Sequence, residues 1–171
     1  MKDIVRQKLS INVEIMDMLN KQIEKEAVSS SAYLAMASWC DHNGLINSAS
    51  FFYDQSSEER DHMLKIFKFI NDNGGTAYSP EVKNVMHEFN SLEEIFEAAL
   101  DQEIDITKSI HNLVQKSRKL NDFTTEYFLQ WFVNEQMEEE QTMRRALEIF
   151  DLMGDEPLKY IDERISQVRE N

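Results

Sequence analysis

The sequence predicts an all-α fold, a four-helix bundle with one long crossover between helices two and three and a short fifth helix at the C-terminal end. Three observations indicate this fold. Only four Gly and two Pro occur among 171 residues, so few residues interrupt helices. Four long segments carry apolar residues at alternating three- and four-residue steps, the spacing of a helix face. The third observation is one long connection in mid-chain. At this length we expect a single domain, residues 1–171.

Start and stop signals bound each helix in turn. Gly44, Gly74 and Gly154 supply stops after the first, second and fourth helices. Ser91 opens helix three with the spacing of a capping box, and Pro157 opens the fifth helix. The predicted helices cover residues 12–42, 47–73, 91–119, 122–153 and 157–169.

The connections predict how the helices run. Helices one and two are joined by a few residues, as are helices three and four, and short links make antiparallel neighbours. The link of residues 74–90 reaches up to about 60 Å when extended. A helix of about 27 residues is only about 40 Å long. The link can therefore cross the whole bundle, which allows helices two and three to run parallel.

Composition excludes several classes of function. The formal net charge is −14, and nucleic-acid binding needs a basic surface. Such a surface attracts cations, although solubility alone also accounts for it. No apolar run approaches the roughly 20 residues of a membrane span, and residues 1–10 do not resemble a secretory signal. The single Cys40 cannot form an internal disulfide, so we expect a reducing, cytoplasmic compartment. Neither a nucleic acid nor a membrane is expected as a partner.

Ionisable or amide side chains interrupt every apolar seam near its middle. They are Glu26 on helix one, Glu59 and His62 on helix two, Glu103 on helix three, and Gln136 and Glu139 on helix four. Each lies 15 or 18 residues from Gly44 or Asn121, the turn of its hairpin. At 1.5 Å per residue this is about 22–27 Å, so hairpins of equal arm length place all six at one level.

Four carboxylates at one level predict a metal site. One glutamate on an apolar face reaches solvent or pairs with an arginine. These seams contain no Lys or Arg, and each unpaired buried carboxylate carries a penalty of several kcal/mol. Bound metal ions remove that penalty, and oxygen ligands with one imidazole favour iron or manganese over a closed zinc site. Glu59 and His62 form Glu-x-x-His, which di-metal bundles carry on two helices, whereas helix four departs from that pattern with Gln136 and Glu139.

At these residues the chain resembles the bacterial non-haem ferritins over nearly its whole length. The resemblance rests on residues 26–33 (EAVSSSAY), 58–62 (EERDH) and 128–140 (FLQWFVNEQMEEE). It implies a ferritin-like fold in which the first iron is bound by Glu26, Glu59 and His62. Glu59 would bridge to a second iron, held also by Glu103 and with Gln136 and Glu139 nearby. Tyr33 is similar to the family tyrosine beside the centre.

A third iron site is also implied. Glu58, Glu135 and Glu138, with Glu139, resemble the additional site of the bacterial branch. The alternative for these glutamates is a solvated acidic helix face.

The resemblance implies a ferroxidase that binds Fe(II), oxidises it to Fe(III) with dioxygen or hydrogen peroxide, and stores it as a ferric mineral. The fifth helix resembles the segment that ferritins use in building a homo-oligomeric shell of 24 subunits. A full ligand set on one chain argues against the twelve-subunit relatives, whose site lies between subunits. Arg60 stands where bacterioferritins carry their haem-ligating Met, and helix four lacks a second Glu-x-x-His, so no haem is expected.

Two alternatives remain at this level. The first is a non-storage di-iron oxidase or peroxidase of the same fold. The second is a metal-free helical interaction module, in which Glu26→Ala or Glu59→Ala would stabilise the fold by removing buried charge. His42, His87 and His111 are expected at the surface, and Trp39 and Trp131 are expected to pack.

Overall fold

The structure is a computed structural model that describes residues 8–168, and these residues form five α-helices and no β-strand. The helices are α1 (Val13–His42), α2 (Ile46–Asp72), α3 (Leu92–Lys119), α4 (Phe123–Met153) and α5 (Leu158–Ile165). The predicted all-α bundle is therefore confirmed, and the first four helices begin and end within one residue of the predicted bounds. No helix in this range is both long enough and apolar enough to cross a membrane.

The predicted end of α5 was wrong. The helix ends at Ile165, and the amides of Gln167 and Val168 donate to carbonyls three residues earlier, which tightens the chain into a turn. This turn brings Val168 into the core, where it is 6% exposed. The predicted terminal residue, Arg169, lies outside the described residues.

Polar residues cap three of the long helices. Asn12 Oδ1 accepts from the amide of Glu14 at the start of α1, and Ser91 Oγ accepts from the amide of Glu94 at the start of α3. The capping box differs in one bond, because Glu94 reaches back to the amide of Asn90 rather than to that of Ser91. Asp122 caps α4 through the amide of Thr125. These bonds satisfy donors that a helix leaves free in its first turn.

Contacts between helices give their directions. Across α1 and α3, Tyr33 meets Glu103 and Gln22 meets Ser109, so the later residue of one helix faces the earlier residue of the other. These two helices are therefore antiparallel. Since α1 and α2 form an antiparallel hairpin, α2 and α3 run in the same direction, as predicted.

The crossover follows α1 along most of the bundle. Near its start, the carbonyl of Thr76 accepts from Asn20, and near its end Phe89 packs edge-on against Trp39 with 6.4 Å between ring centroids. Positions 20 and 39 are about 28 Å apart along a helix. The turn into the crossover needs glycine: Gly74 has φ 82°, and a Cβ there would lie 2.5 Å from the carbonyl oxygen of Lys8.

Two apolar clusters form the core and leave a polar layer between them. One cluster includes Tyr33, Phe52 and Phe96 at the end of the bundle where α1 turns into α2. The other includes Leu19 and Ile66 at the opposite end. The apolar seams predicted at helical spacing are buried except at Ser30 and Phe69, which are half-buried. Besides the six layer residues, these seams comprise Leu19, Ile23, Ser30, Tyr33, Ala37, Cys40, Phe52, Gln55, Ile66, Phe69, Leu92, Phe96, Ala99, Ile106, Ile110, Leu113, Leu129, Phe132, Met143, Ala146 and Phe150.

A residue of α5, remote in sequence, caps the N-terminus of α2. Leu45 occupies the N-cap position of α2 and has no side-chain acceptor, but Asp162 of α5 supplies one. Asp162 Oδ2 accepts from the amide of Asn47 at 3.1 Å, and Asp162 Oδ1 accepts from the amide of Ser48 at 2.8 Å. The side chains of Asn47 and Ser48 donate to the same carboxylate. Asp162 is 5% exposed, so α5 closes the start of α2 with a buried charged group.

Asp162→Ala is expected to destabilise the protein by about 2 kcal/mol, because it removes both the cap of α2 and a buried charge-assisted network. Urea unfolding followed by circular dichroism measures the change. Glu163→Ala is the matched control, since Glu163 is the next residue of α5 and is exposed. Equal unfolding midpoints for the two variants would show that the cap has no energetic role.

Candidate di-metal centre

The six predicted layer residues form one connected buried group between the two apolar clusters. The exposed fractions are 0% for Glu26, Glu59 and Glu103. They are 1% for Gln136, 4% for His62 and 6% for Glu139. The neighbouring turns of each helix carry large apolar side chains, such as Ile23 and Tyr33 on either side of Glu26. The helical period that buries those neighbours also buries the polar residue between them.

Glu26, Glu59 and His62 form the most enclosed part of this group. Each offers one ligand atom, and these atoms all lie within 4.8 Å of one another. His62 Nδ1 is 3.7 Å from Glu59 Oε1. The three side chains therefore surround a space of the size that one metal ion with short oxygen and nitrogen bonds requires.

Four atoms of this trio point into that space unsatisfied. Glu26 Oε2, both carboxylate oxygens of Glu59 and His62 Nδ1 receive no hydrogen bond from any other side chain or backbone group among residues 8–168, and a proton held by Glu26 or Glu59 is shared only between these two carboxyls. Buried polar atoms in folded proteins are almost always paired, and leaving one unpaired costs about 1–3 kcal/mol. The arrangement is thus unfavourable by itself and suits a cation.

Burial shifts the acid–base behaviour of these carboxyls. Loss of water around Glu26 raises its pKa well above the usual 4.5, and the nearby charge of Glu59 raises it further. Burial also raises the pKa of Glu59 well above that value, with the charge of Glu103 as the next cause. Without a cation, the centre holds protons that exposed glutamates release.

Glu103 differs from the trio because both of its oxygens are hydrogen-bonded. The Tyr33 hydroxyl donates a hydrogen bond to Oε1, and Gln136 Nε2 donates to Oε2 at 2.9 Å. Burial raises the pKa of Glu103, while these two hydrogen bonds oppose the rise. Burial, with the charge of Glu103 as the next cause, raises the pKa of Tyr33 well above 10, so its hydroxyl keeps its proton and stays a donor. Glu103 is therefore held in place before any ligand arrives.

A second group lies on the outer side of His62. His62 Nε2 is 3.7 Å from Glu135 Oε1, and these two residues with Glu139 form another set whose ligand atoms lie within 4.8 Å of one another. Glu58 and Glu138 line a surface depression of about 470 Å³ together with Glu135 and Glu139. In the described part of the chain, neither Glu58 nor Glu138 joins either ligand cluster.

Two glutamines that were not predicted as site residues also contact the centre. Gln22 Nε2 donates to Glu26 Oε1 at 2.7 Å, while its Oε1 accepts from Ser109 Oγ at 2.6 Å. Gln55 Nε2 donates to Glu139 Oε2 at 3.0 Å. A signal was present, because Gln22 and Gln55 are polar residues at helical spacing, four positions before Glu26 and Glu59.

The remaining histidines and tryptophans lie as predicted. His42, His87 and His111 are exposed. Trp131 packs edge-on against the His62 ring at 5.3 Å between centroids. Lys65 Nζ lies 3.8 Å from the centre of the Trp131 ring.

A four-helix bundle with one long crossover and a buried glutamate–histidine centre defines the class of ferritin-like proteins. Residues 16–153 match the family of the ferritin-like domain. The chain belongs to this family.

Within this family, the chain is similar to the following ferritins. The bacterial non-haem ferritin of Staphylococcus saprophyticus is 38% identical over 146 residues, which cover 85% of this chain and 87% of that protein. That of Campylobacter jejuni is 37% identical over 145 residues, with 85% and 87% covered. The structure of an open pore ferritin from Archaeoglobus fulgidus superposes with a TM-score of 0.88 at 35% identity, covering 92% of this chain and 98% of that one. The predicted resemblance to bacterial non-haem ferritins is confirmed.

Proposed function

We propose that this protein is an iron-storage ferritin with ferroxidase activity, a single domain over residues 1–171 that acts in the cytoplasm. It takes up Fe(II) as substrate at the buried centre, oxidises it to Fe(III) and passes it to a ferric mineral inside a homo-oligomeric shell of 24 subunits. The observation that carries the proposal is the set of four buried ligand atoms of Glu26, Glu59 and His62 without a partner in residues 8–168. Family membership supports storage as the purpose of the oxidation.

The residues of the centre have distinct roles in this proposal. Glu26 and His62 bind the first Fe(II), and Glu59, with both oxygens available, bridges it to the second. Glu103 binds the second ion after its hydrogen bonds from Tyr33 and Gln136 rearrange. Glu139 lies next to this position and links it to the outer group. Tyr33 orients Glu103 and stays protonated.

The negative charge of the carboxylates favours oxidation of iron at the buried centre. Anionic carboxylates stabilise Fe(III) more than Fe(II), since the attraction grows with the charge of the ion. Binding also displaces the protons that Glu26 and Glu59 hold. Two Fe(II) ions supply two electrons. Together with two protons, these electrons reduce one dioxygen to one hydrogen peroxide, or one hydrogen peroxide to two waters. Fe(III) then moves through the third site of Glu58, Glu135, Glu138 and Glu139 toward the mineral.

Iron loading tests the proposal. Fe(II) is added in air well beyond two equivalents per chain, and the product is separated by size with iron detection. We expect iron far above two per chain to co-elute with a large shell. Iron that stops at two per chain would indicate a non-storage di-iron oxidase or peroxidase, and absence of binding and oxidation would indicate a metal-free helical module.

A further inference from the structure

Gln55 connects the inner centre with the outer acidic group. Its side chain is 0% exposed. Its single Nε2 donates to Glu139 Oε2 at 3.0 Å and to Glu58 Oε2 at 2.9 Å. An amide nitrogen carries two hydrogens, so each carboxylate receives one of them.

The orientation of this amide is set by the two carboxylates. Gln55 Oε1 is buried and has no hydrogen-bond partner within the range that the structure describes. A half-turn of the amide would aim that oxygen at two carboxylates, where like partial charges repel. The amide therefore keeps both donors on Glu58 and Glu139 although its carbonyl stays unsatisfied.

We propose that the Gln55 amide occupies the place of a cation between Glu58 and Glu139, and so delays loading of the outer site until the inner pair is filled. The inference rests on the proposed function, because it concerns the order in which that centre takes up iron. A metal ion bound by Glu58 Oε2 and Glu139 Oε2 needs the oxygen lone pairs that now accept the amide hydrogens. It must first displace Gln55.

The inner trio meets no such competitor. A cation at the four unpaired atoms of Glu26, Glu59 and His62 breaks no hydrogen bond from an amide and displaces only protons held by the buried carboxyls. At the outer site, two hydrogen bonds to carboxylates must break first, and hydrogen bonds to charged groups are the strong ones. A buried glutamine thus leaves the inner site open to a metal ion but competes with a metal ion at the outer site. Gln22 bonds only one oxygen of Glu26 and leaves Glu26 Oε2 open, whereas Gln55 ties two different carboxylates together.

The variant Gln55→Met tests the hydrogen-bonding role of Gln55 separately from its contribution to packing. Methionine fills a similar volume without a donor and removes the buried carbonyl, so the fold is expected to persist. Anaerobic calorimetric titration of the assembled protein with Fe(II), to beyond three equivalents per chain, resolves the binding steps. We expect the third step to tighten by at least about tenfold, the size of one hydrogen bond to a charged group. The first two steps should stay unchanged.

Two variants control the assignment. Glu58→Gln should abolish the third step, which identifies it with the outer site. Gln22→Met, the matched buried glutamine, should change an inner step and leave the third alone. If Gln55→Met does not assemble, Gln55→Leu repeats the test, because it also removes the amide donors without adding a charged ligand and should again tighten the third step.

The outcomes separate the two proposals. A third step that is unchanged or weaker in the Gln55 variant overturns the role of Gln55, while two tight inner steps leave the proposed function intact. A change of equal size in all three steps shows a purely structural residue and also overturns it. A wild-type protein that binds no Fe(II) overturns both.

Discussion

Replacing Glu59 by Leu is expected to slow Fe(II) oxidation by at least about 100-fold and, at the same time, to raise the stability of the metal-free protein. Mutation of a residue that merely orients a metal ligand lowers metal affinity or activity about 10–100-fold. Glu59 is proposed to contact both ions directly, so its loss should lower the rate by at least the upper figure. Its two oxygens are buried without a hydrogen-bond partner in residues 8–168. Exchange of a buried, unpaired polar group for an apolar side chain of similar volume removes a desolvation penalty of about 1–3 kcal/mol.

The prediction is specific because the oxidation rate should fall while the stability of the metal-free protein should rise. The rate is followed by the absorbance of Fe(III) after mixing with Fe(II) in air, and the stability by thermal unfolding in the presence of a chelator. Glu97→Leu on α3 is the control, because Glu97 is exposed and lies outside the centre. A Glu59→Leu protein that is less stable and equally fast would refute the assignment of Glu59.

The stability of the metal-free protein is expected to fall as pH rises from mildly acidic to alkaline values. Burial is the first cause that raises the pKa of Glu26, Glu59 and Glu103 above the usual 4.5. The folded state therefore binds these protons more tightly than the unfolded chain does. Their contribution to stability is complete below pH 4.5 and is lost as pH rises through the raised pKa values.

A bound divalent cation should reverse this trend. Metal binding replaces the protons, so the protection that the metal gives grows with pH. Melting temperatures between pH 5 and 8.5, with chelator or with excess Zn(II), measure both slopes. Glu59→Leu should flatten the metal-free slope, which distinguishes the centre from the general repulsion of an acidic surface. A metal-free melting temperature that rises across this range would contradict the prediction.

The sequence was sufficient for the helices and for the level of the centre because both depend on local rules. Helical periodicity fixes which residues are buried, and equal distances from the two hairpin turns bring Glu26 and Glu103 to one height. The long link of residues 74–90 had few geometric solutions, so the parallel course of α2 and α3 also followed. These features need no knowledge of side-chain conformation.

Contacts between distant residues could not be obtained in this way. Which carboxylates Gln55 bonds depends on side-chain torsions, and the structure selects Glu58 on its own helix and Glu139 on α4 rather than Glu59. Which ligand atoms lie close enough together to share an ion also depends on side-chain torsions, and the structure groups His62 with Glu135 and Glu139 as well as with Glu26 and Glu59. The end of α5 was misplaced because the burial of Val168, a tertiary contact, bends the chain after Ile165.

The cap that Asp162 places on α2 has a consequence for how a new chain matures. Asp162 and Asn47 are 115 residues apart in sequence, and ribosomes add about 5–20 residues per second. For roughly 6–23 seconds of synthesis, the first hairpin exists without the carboxylate that closes its second helix. A chain broken off before Asp162 never receives it. The start of α2 is thus closed only after Asp162 has been synthesised, and chains truncated before that residue keep an open helix end.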